Sequence, residues 1–299
     1  MELHPDGTSA FEEGASDSLR EPPRYKGETK QHLEKELETI ARWERGQKDL
    51  WFWEKLGRIP FMLLDKLTPQ AIQNKIGQAI DELGGYVQTG GRYLVSEKSM
   101  LSSLKRTAAE TGYDGIPVET VAQAGELPLA VMDLAADQLA ESRKKIAAVQ
   151  GATTGFGGIF TLAVDIPALL GLSLKVLQET AICYGFDPND PRERVFIVKC
   201  LQFSSSDIVG KRAVLEELAA FDGGGEGRQL ASQLQGWREV VATYRDNFGW
   251  KKLFQLVPVA GMLFGALLNK STVNDVAEAG KMMYRKRRIV RRLQHNGDV

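Results

Sequence analysis

The chain has 299 residues, of which 43% are hydrophobic and 26% charged, with a net charge of -1. That is enough apolar material for one large helical unit or two ordinary ones. The near-neutral balance excludes a protein that holds nucleic acid through its overall charge, although the charge is unevenly placed along the chain.

Residues 1–27 are rich in Gly, Ser, Pro and acids and carry few apolar side chains, so they read as a disordered acidic tail. Met1-Glu-Leu-His-Pro-Asp-Gly lacks a basic start and an apolar run, and no secretory signal is expected there. From Glu28 the pattern turns helical, with Leu33, Leu37 and Ile40 at spacings of four and three. The helical domain is expected to run from 28 to 299. Trp43, Trp51, Phe52 and Trp53 follow as an aromatic cluster, read either as core or as an anchor at a membrane interface. Thr68 and Pro69 look like the start of a helix whose face is Ile72, Ile76, Ile80 and Leu83, ended by Gly84-Gly85.

After Gly90-Gly91 a polar helix is expected from about Val95 to Glu110, stopping in Thr111–Gly115. Pro117 reads as the opening of a short helix closed by Gly125. Leu127, Val131, Leu134 and Leu139 mark a helix reaching Val149. Asp190, Pro191 and Glu193 form a capping pattern, with Asp as N-cap, Pro at the first helical position and Glu at the third. Val195–Val198, taken alone, fits a buried strand as well as a helix. Gly223–Gly225 is a break, and Leu230, Leu234, Trp237 and Val241 mark a further helix. No hairpin turn signal lies between alternating runs, so the fold class is all-α: a multi-helix domain around a Gly-rich apolar helical hairpin.

Two apolar segments stand out: the hairpin is read over Ile146–Val164 and, past Asp165 and Pro167, Ala168–Leu174, and Leu253–Asn269 is a separate second segment. Ile146 to Val164 is 19 residues without a charge, about 28 Å as a helix and close to the thickness of a bilayer's hydrocarbon core. Leu253 to Asn269 is 17 uncharged residues. Each holds a GxxxG, Gly151 with Gly155 and Gly261 with Gly265, a spacing that lets a second helix approach closely. Asp165 and Pro167 read as the turn of a membrane-dipping hairpin, or Asp165 as an ordinary N-cap of a core hairpin. Lys175, Gln178 and Glu179 on the second arm weigh against lipid.

The chemistry-bearing residues are sparse. His4, His32 and His295 are the only histidines and none has a second ligand at metal spacing, so no metal or cofactor is expected. HExxH, the P-loop pattern and a GxSxG elbow are missing from the sequence. Cys183 and Cys200 form no CxxC and read as reduced thiols. Asp133, Asp137 and Glu141 share one helix face and are candidates for acid–base work or cation binding, or are simply a solvated row. Residues 281–292 hold seven bases and no acid. Within them Arg285, Lys286, Arg287, Arg288, Arg291 and Arg292 are candidates for contact with anionic lipid, or a solvated helix end. A nucleic-acid partner is not expected.

Several of these segments together resemble the EcsC family: Asp133-Leu-Ala-Ala, Gly151–Gly158, Val164-Asp165-Ile-Pro167, Tyr184-Gly-Phe-Asp187, then Gly261–Gly265, Asn274-Asp275-Val-Ala and Tyr284–Arg288. The resemblance spans roughly 40–293. It implies a helical fold and suggests an accessory role near a membrane, since that family is named for a protein encoded beside an ABC transporter. It supplies no agreed catalytic residues. Asp133, Asp165, Tyr184, Asp187 and Asp275 match the family pattern and are read as structural. The leading expectation is therefore a cytoplasmic accessory protein, more a binding module than an enzyme. It is expected to lie at the inner face of a membrane, peripheral or inserted by its hairpin, with lipid or a membrane protein as partner. The alternatives are a hydrolase-type soluble enzyme built on the carboxylate row, and a soluble helical scaffold.

Overall fold

The computed structural model describes residues 28–47, 95–113, 115, 117–155, 162–206, 208–221 and 258–295. Within them are eight helices: α1 (Lys30–Gly46), α2 (Glu97–Glu110), α3 (Val121–Ala124), α4 (Leu129–Gly155), α5 (Leu162–Cys183), α6 (Pro191–Ser205), α7 (Ile208–Phe221) and α8 (Pro258–His295). No strand occurs among the described residues, and the Val195–Val198 run lies inside α6. The readings made for the acidic tail, for Trp51–Trp53, for the Pro69 and Leu230 helices and for the Gly pairs lie outside the described residues.

Local chemistry starts and stops these helices as the residue types dictate. Thr29 accepts from the His32 N–H at 3.2 Å and opens α1, which buries Leu33 and Ile40. Ser96 caps α2, one residue beyond the expected start. Thr120 and Gln123 form a reciprocal capping box on α3. The short helix thus begins after Thr120, and Pro117 lies in the extended lead-in rather than at its start. Asp190 caps α6 by accepting from the Arg192 N–H at 2.8 Å, with Pro191 behind it. Glu193 stands at the third position but turns inward to Arg287 instead of back to the cap.

The hairpin of α4 and α5 is present, but its turn is not at Asp165 and Pro167. Both residues lie within the first turns of α5, which begins at Leu162. Pro167 is the sixth residue of that helix, past the positions whose N–H is unpartnered, so α5 continues through a residue that cannot donate to the carbonyl four positions back.

The organising element is α8. Its 38 residues span about 57 Å and pack on α1, α4, α5 and α6. Against α4 it runs antiparallel. The carbonyl of Leu127 meets Arg292, Asp133 meets Arg285, Asp137 meets Lys281 and Lys144 meets Asn274. Side chains from every layer close the core, among them Leu33, Leu104, Met132, Leu177, Phe196 and Tyr284, all essentially inaccessible. Gly280 lets α8 pack closely on α5, since a Cβ there would sit 2.7 Å from Leu177 Cδ2. Because α6 is buried along nearly its full circumference, the polar residues on it need internal partners.

Candidate functional site

The carboxylate row sits on α4, and each member faces a base. Asp133 Oδ2 accepts from Arg285 Nε at 2.9 Å, and its Oδ1 accepts from the Tyr184 hydroxyl at 2.6 Å. Asp137 pairs with Lys281 at 2.6 Å in an exposed setting. Glu141 pairs with Lys144 one turn on, which holds its carboxyl below the ordinary range. No group of three metal-type ligands occurs among the described residues. Asp133, half-buried, and Asp137 tie α4 to α8, while Glu141 pairs within α4.

The basic run of α8 is the other side of that tie. Arg285 bridges Asp133 and Glu36, the latter at 2.8 Å. Burial works against its charge, but Asp133 and Glu36 prevail and its pKa is raised. Lys286 reaches Glu44 on α1 at 2.7 Å. Arg287 makes two parallel bonds of 2.8 Å to Glu193, both side chains about 93% buried. Arg292 grips the Glu28 carboxylate and the carbonyls of Gly125 and Leu127. Arg291 is exposed and lies over the Phe186 ring at 4.5 Å.

Arg288 closes the joint between α5 and α6. Its guanidinium donates to the carbonyls of Tyr184 at 2.6 Å and Gly185 at 3.0 Å. Burial, then the charges of Arg292 and Arg291, lower its pKa to about 10. The carbonyls are presented by a turn that ends α5. Gly185 adopts φ +71°, its N–H bonds Ile182 O, and the Phe186 N–H bonds Ala181 O, the paired closure of a left-handed helix stop. A Cβ on Gly185 would also lie 2.2 Å from the Cα of Gly125, so the position admits glycine alone. Phe186 then packs on Tyr284 at 5.3 Å and lies within 4.8 Å of the guanidinium carbons of Arg287, Arg288 and Arg291. Asp187 is exposed and accepts from the Asn189 N–H at 2.8 Å, which shapes the link to α6. Tyr184 is fully buried, and burial together with the Asp133 charge pushes its phenol well above the ordinary value.

The opposite end of α4, α5 and α8 has a different character. Asp165 is fully buried, and its Oδ1 accepts from Gln150 Nε2 at 3.2 Å and from Asn269 Nδ2 at 2.9 Å, tying the three helices. Gly151 and Gly155 close α4 here, and Gly261 and Gly265 lie in the opening turns of α8. Ile146, Val149 and Leu267 are 45%, 65% and 67% exposed on this end. Lys145 and Lys270 are exposed about one turn further in. Arg143 makes a bidentate pair with buried Glu179 at 2.6 and 2.7 Å, so the Glu179 charge is neutralised inside the hairpin. No helix among the described residues is long and apolar enough to cross a membrane.

The EcsC protein family matches residues 34–289. The chain belongs to the EcsC family. It is 55% identical over 267 residues to YdbA of Bacillus subtilis (strain 168), covering 89% of this chain and 96% of that protein. It is 31% identical over 146 residues to Protein EcsC of the same organism, covering 49% of this chain and 59% of that protein. No solved structure matches.

In this EcsC-family chain Asp133, Tyr184, Gly185 and Arg288 meet at one joint, and Asp165 pins the other end. Asp275, in contrast, is exposed on α8. Sequence reading missed the acids that answer the basic run, Glu28, Glu36, Glu44 and Glu193, and the amides Gln150 and Asn269. Their partners are between 94 and 264 positions away, except for Gln150, so no local spacing pointed to them. Trp43 of the aromatic cluster is partly buried, donates to Glu278 at 2.6 Å and stacks near Phe203.

Proposed function

We propose that this EcsC-family chain is an accessory or binding module that docks on the inner face of a membrane through the apolar end formed by α4, α5 and α8. The observation that carries the reading is the joint exposure of Ile146, Val149 and Leu267 beside exposed Lys145 and Lys270. An apolar tip with a collar of lysines suits shallow seating, with side chains in the acyl boundary and ammonium groups at the head groups. Each large apolar side chain removed from water contributes about 1.5–3 kcal/mol, and each lysine near an anionic surface about 1 kcal/mol. The contact is a surface one, in keeping with helices that, among the described residues, are too short or too polar to span. The basic run of α8 has a different task in this reading, since Arg285, Lys286, Arg287, Arg288 and Arg292 hold acids or carbonyls of the chain itself. A membrane protein is the proposed partner at that surface, an ABC transporter being the kind the family resemblance suggests.

Co-sedimentation with phosphatidylglycerol-containing vesicles tests this. The native chain is expected to pellet with vesicles, and V149E/L267E to stay in the supernatant while keeping its helical circular dichroism. Lys145→Glu with Lys270→Glu should weaken binding most at low salt. If V149E/L267E pellets as the native chain does, the apolar end is not the docking surface.

A further inference from the structure

The way α1 is attached differs from the rest of the bundle. Its inward stripe is Leu33, Glu36, Leu37, Ile40, Trp43 and Glu44, helical spacings of three and four that set two acids among the apolar side chains. Only Leu33 and Ile40 are buried outright, while Leu37 and Trp43 are partly so. Lys35, Glu38 and Arg42 on the outer side are exposed. The helix beneath the stripe is α8.

The seam between them is antiparallel and repeats. Glu278, Arg285 and Arg292 stand seven apart on α8 and meet Trp43, Glu36 and Glu28 in turn. Lys286 adds Glu44. Seven residues is the spacing at which paired helices keep one side in contact, and that side is ordinarily apolar. On this seam α8 fills the repeated position with a charged residue each time. Glu28 also accepts from the Leu129 N–H at 2.5 Å and so caps α4, since Pro128 before it has no side chain that could. The three acid–base pairs have side chains 11–38% exposed, unlike the enclosed Arg287–Glu193 pair on α6. Water and competing charges can take over such partners without entering the core.

We propose that α1 is a displaceable strap over a docking groove on α8, whose partner is an amphipathic helix of another protein with acids set in its apolar stripe. α1 is the groove's internal occupant and displays the chemistry that fits it. Arg285, Lys286 and Arg292 present bases along the groove, and the core beneath Leu33 and Ile40 accepts branched apolar side chains. The layer below keeps partners when α1 leaves: Arg285 retains Asp133, and Arg292 retains the carbonyls of Gly125 and Leu127. An outer element held in this way opens before the core does. The groove shares no residue with the apolar end, so it does not depend on the membrane reading.

A labelled peptide of residues 28–47 is the probe, added to the full chain at low salt. Glu36→Gln with Glu44→Gln in the chain loosens the strap and leaves the groove intact. The peptide should bind that variant about tenfold tighter than the native chain, whose tethered α1 competes at high local concentration. A peptide carrying the same two changes should bind neither. Hydrogen exchange on the native chain is the second readout: added salt should speed the α1 amides and leave those in the middle of α4 and α8 unchanged. Equal binding of the peptide to both chains, binding to neither, or undiminished binding of the altered peptide overturns the proposal. So does α1 exchanging in step with α4 at every salt concentration, or loss of the whole fold in E36Q/E44Q, since α1 would then be part of the core. Phosphatidylglycerol vesicles that speed α1 exchange where the peptide does not would overturn a helix as the occupant.

Discussion

The two ends of the α4–α8 pair invert what their sequences advertise. The C-terminal end of α8 is the most basic stretch of the chain, yet all but Arg291 of the bases from 285 to 292 are spent on Glu36, Glu44, Glu193, Glu28, Asp133 and main-chain carbonyls. The opposite end is uncharged throughout 146–164, yet it presents Ile146, Val149 and Leu267 to solvent. Charge density therefore marks the internal clamp here, and low charge marks the surface with unmet contacts. Whether a group is free to act depends on its partners, and those come from distant parts of the chain.

The contrast can be broken most severely at the buried pair. Arg287→Ala is expected to cost about 3–5 kcal/mol by leaving Glu193 buried and alone, read as a drop in the urea midpoint. Replacing both partners, Arg287→Met with Glu193→Leu, should recover most of that loss, because an apolar pair has no charge to desolvate. If the single and double variants fall equally, the pair is not the unit that holds the clamp.

A smaller effect is expected at Tyr184. Tyr184→Phe removes the bond to Asp133 and should cost about 1 kcal/mol. The phenol also sharpens the pH profile. Its folded pKa is raised, by burial first and then by Asp133, so its contribution is complete below the unfolded value of about 10 and is lost as pH rises beyond it. Stability of the native chain should fall above that pH more steeply than that of Y184F. Parallel alkaline curves would show that Tyr184 does not set this limb.

The thiols give a test at the level of access. Burial pushes Cys183 up to about 12, and Cys200 higher still. Neither should react with a disulfide reagent at pH 8 until the chain unfolds, because the thiolate is the nucleophile. Rapid labelling of the native protein would show that the core around α5 and α6 opens readily. At the apolar end, Val149→Glu should change stability by no more than about 0.5 kcal/mol, which is what lets it report on vesicle binding alone.

Much of the architecture was legible because it is written in short spacings. The stripe of Leu33, Leu37 and Ile40, the Asp190-Pro191 start and the Gly125 stop all act within one or two turns, and each stands where the residues place it. The hairpin turn was misplaced because an acid followed by a proline fits both a loop and a helix start, and only the surrounding helix decides. The site was legible as a set of motif residues but not as geometry. Nothing near Arg288 announces that its acceptors are the carbonyls of Tyr184 and Gly185, over a hundred positions earlier.

Arg292 has a consequence for how the chain is made. It binds Glu28 and the carbonyls of Gly125 and Leu127, while its own helix is the last of those described. During synthesis the earlier helices emerge before the strut that fills the space between them. Their inward faces must wait, wet and open to chaperones, until nearly all of α8 has left the ribosome. A stop codon or frameshift within α8 would therefore strip the interior rather than trim an edge. Truncated products should be cleared by proteases instead of accumulating as shortened, working protein.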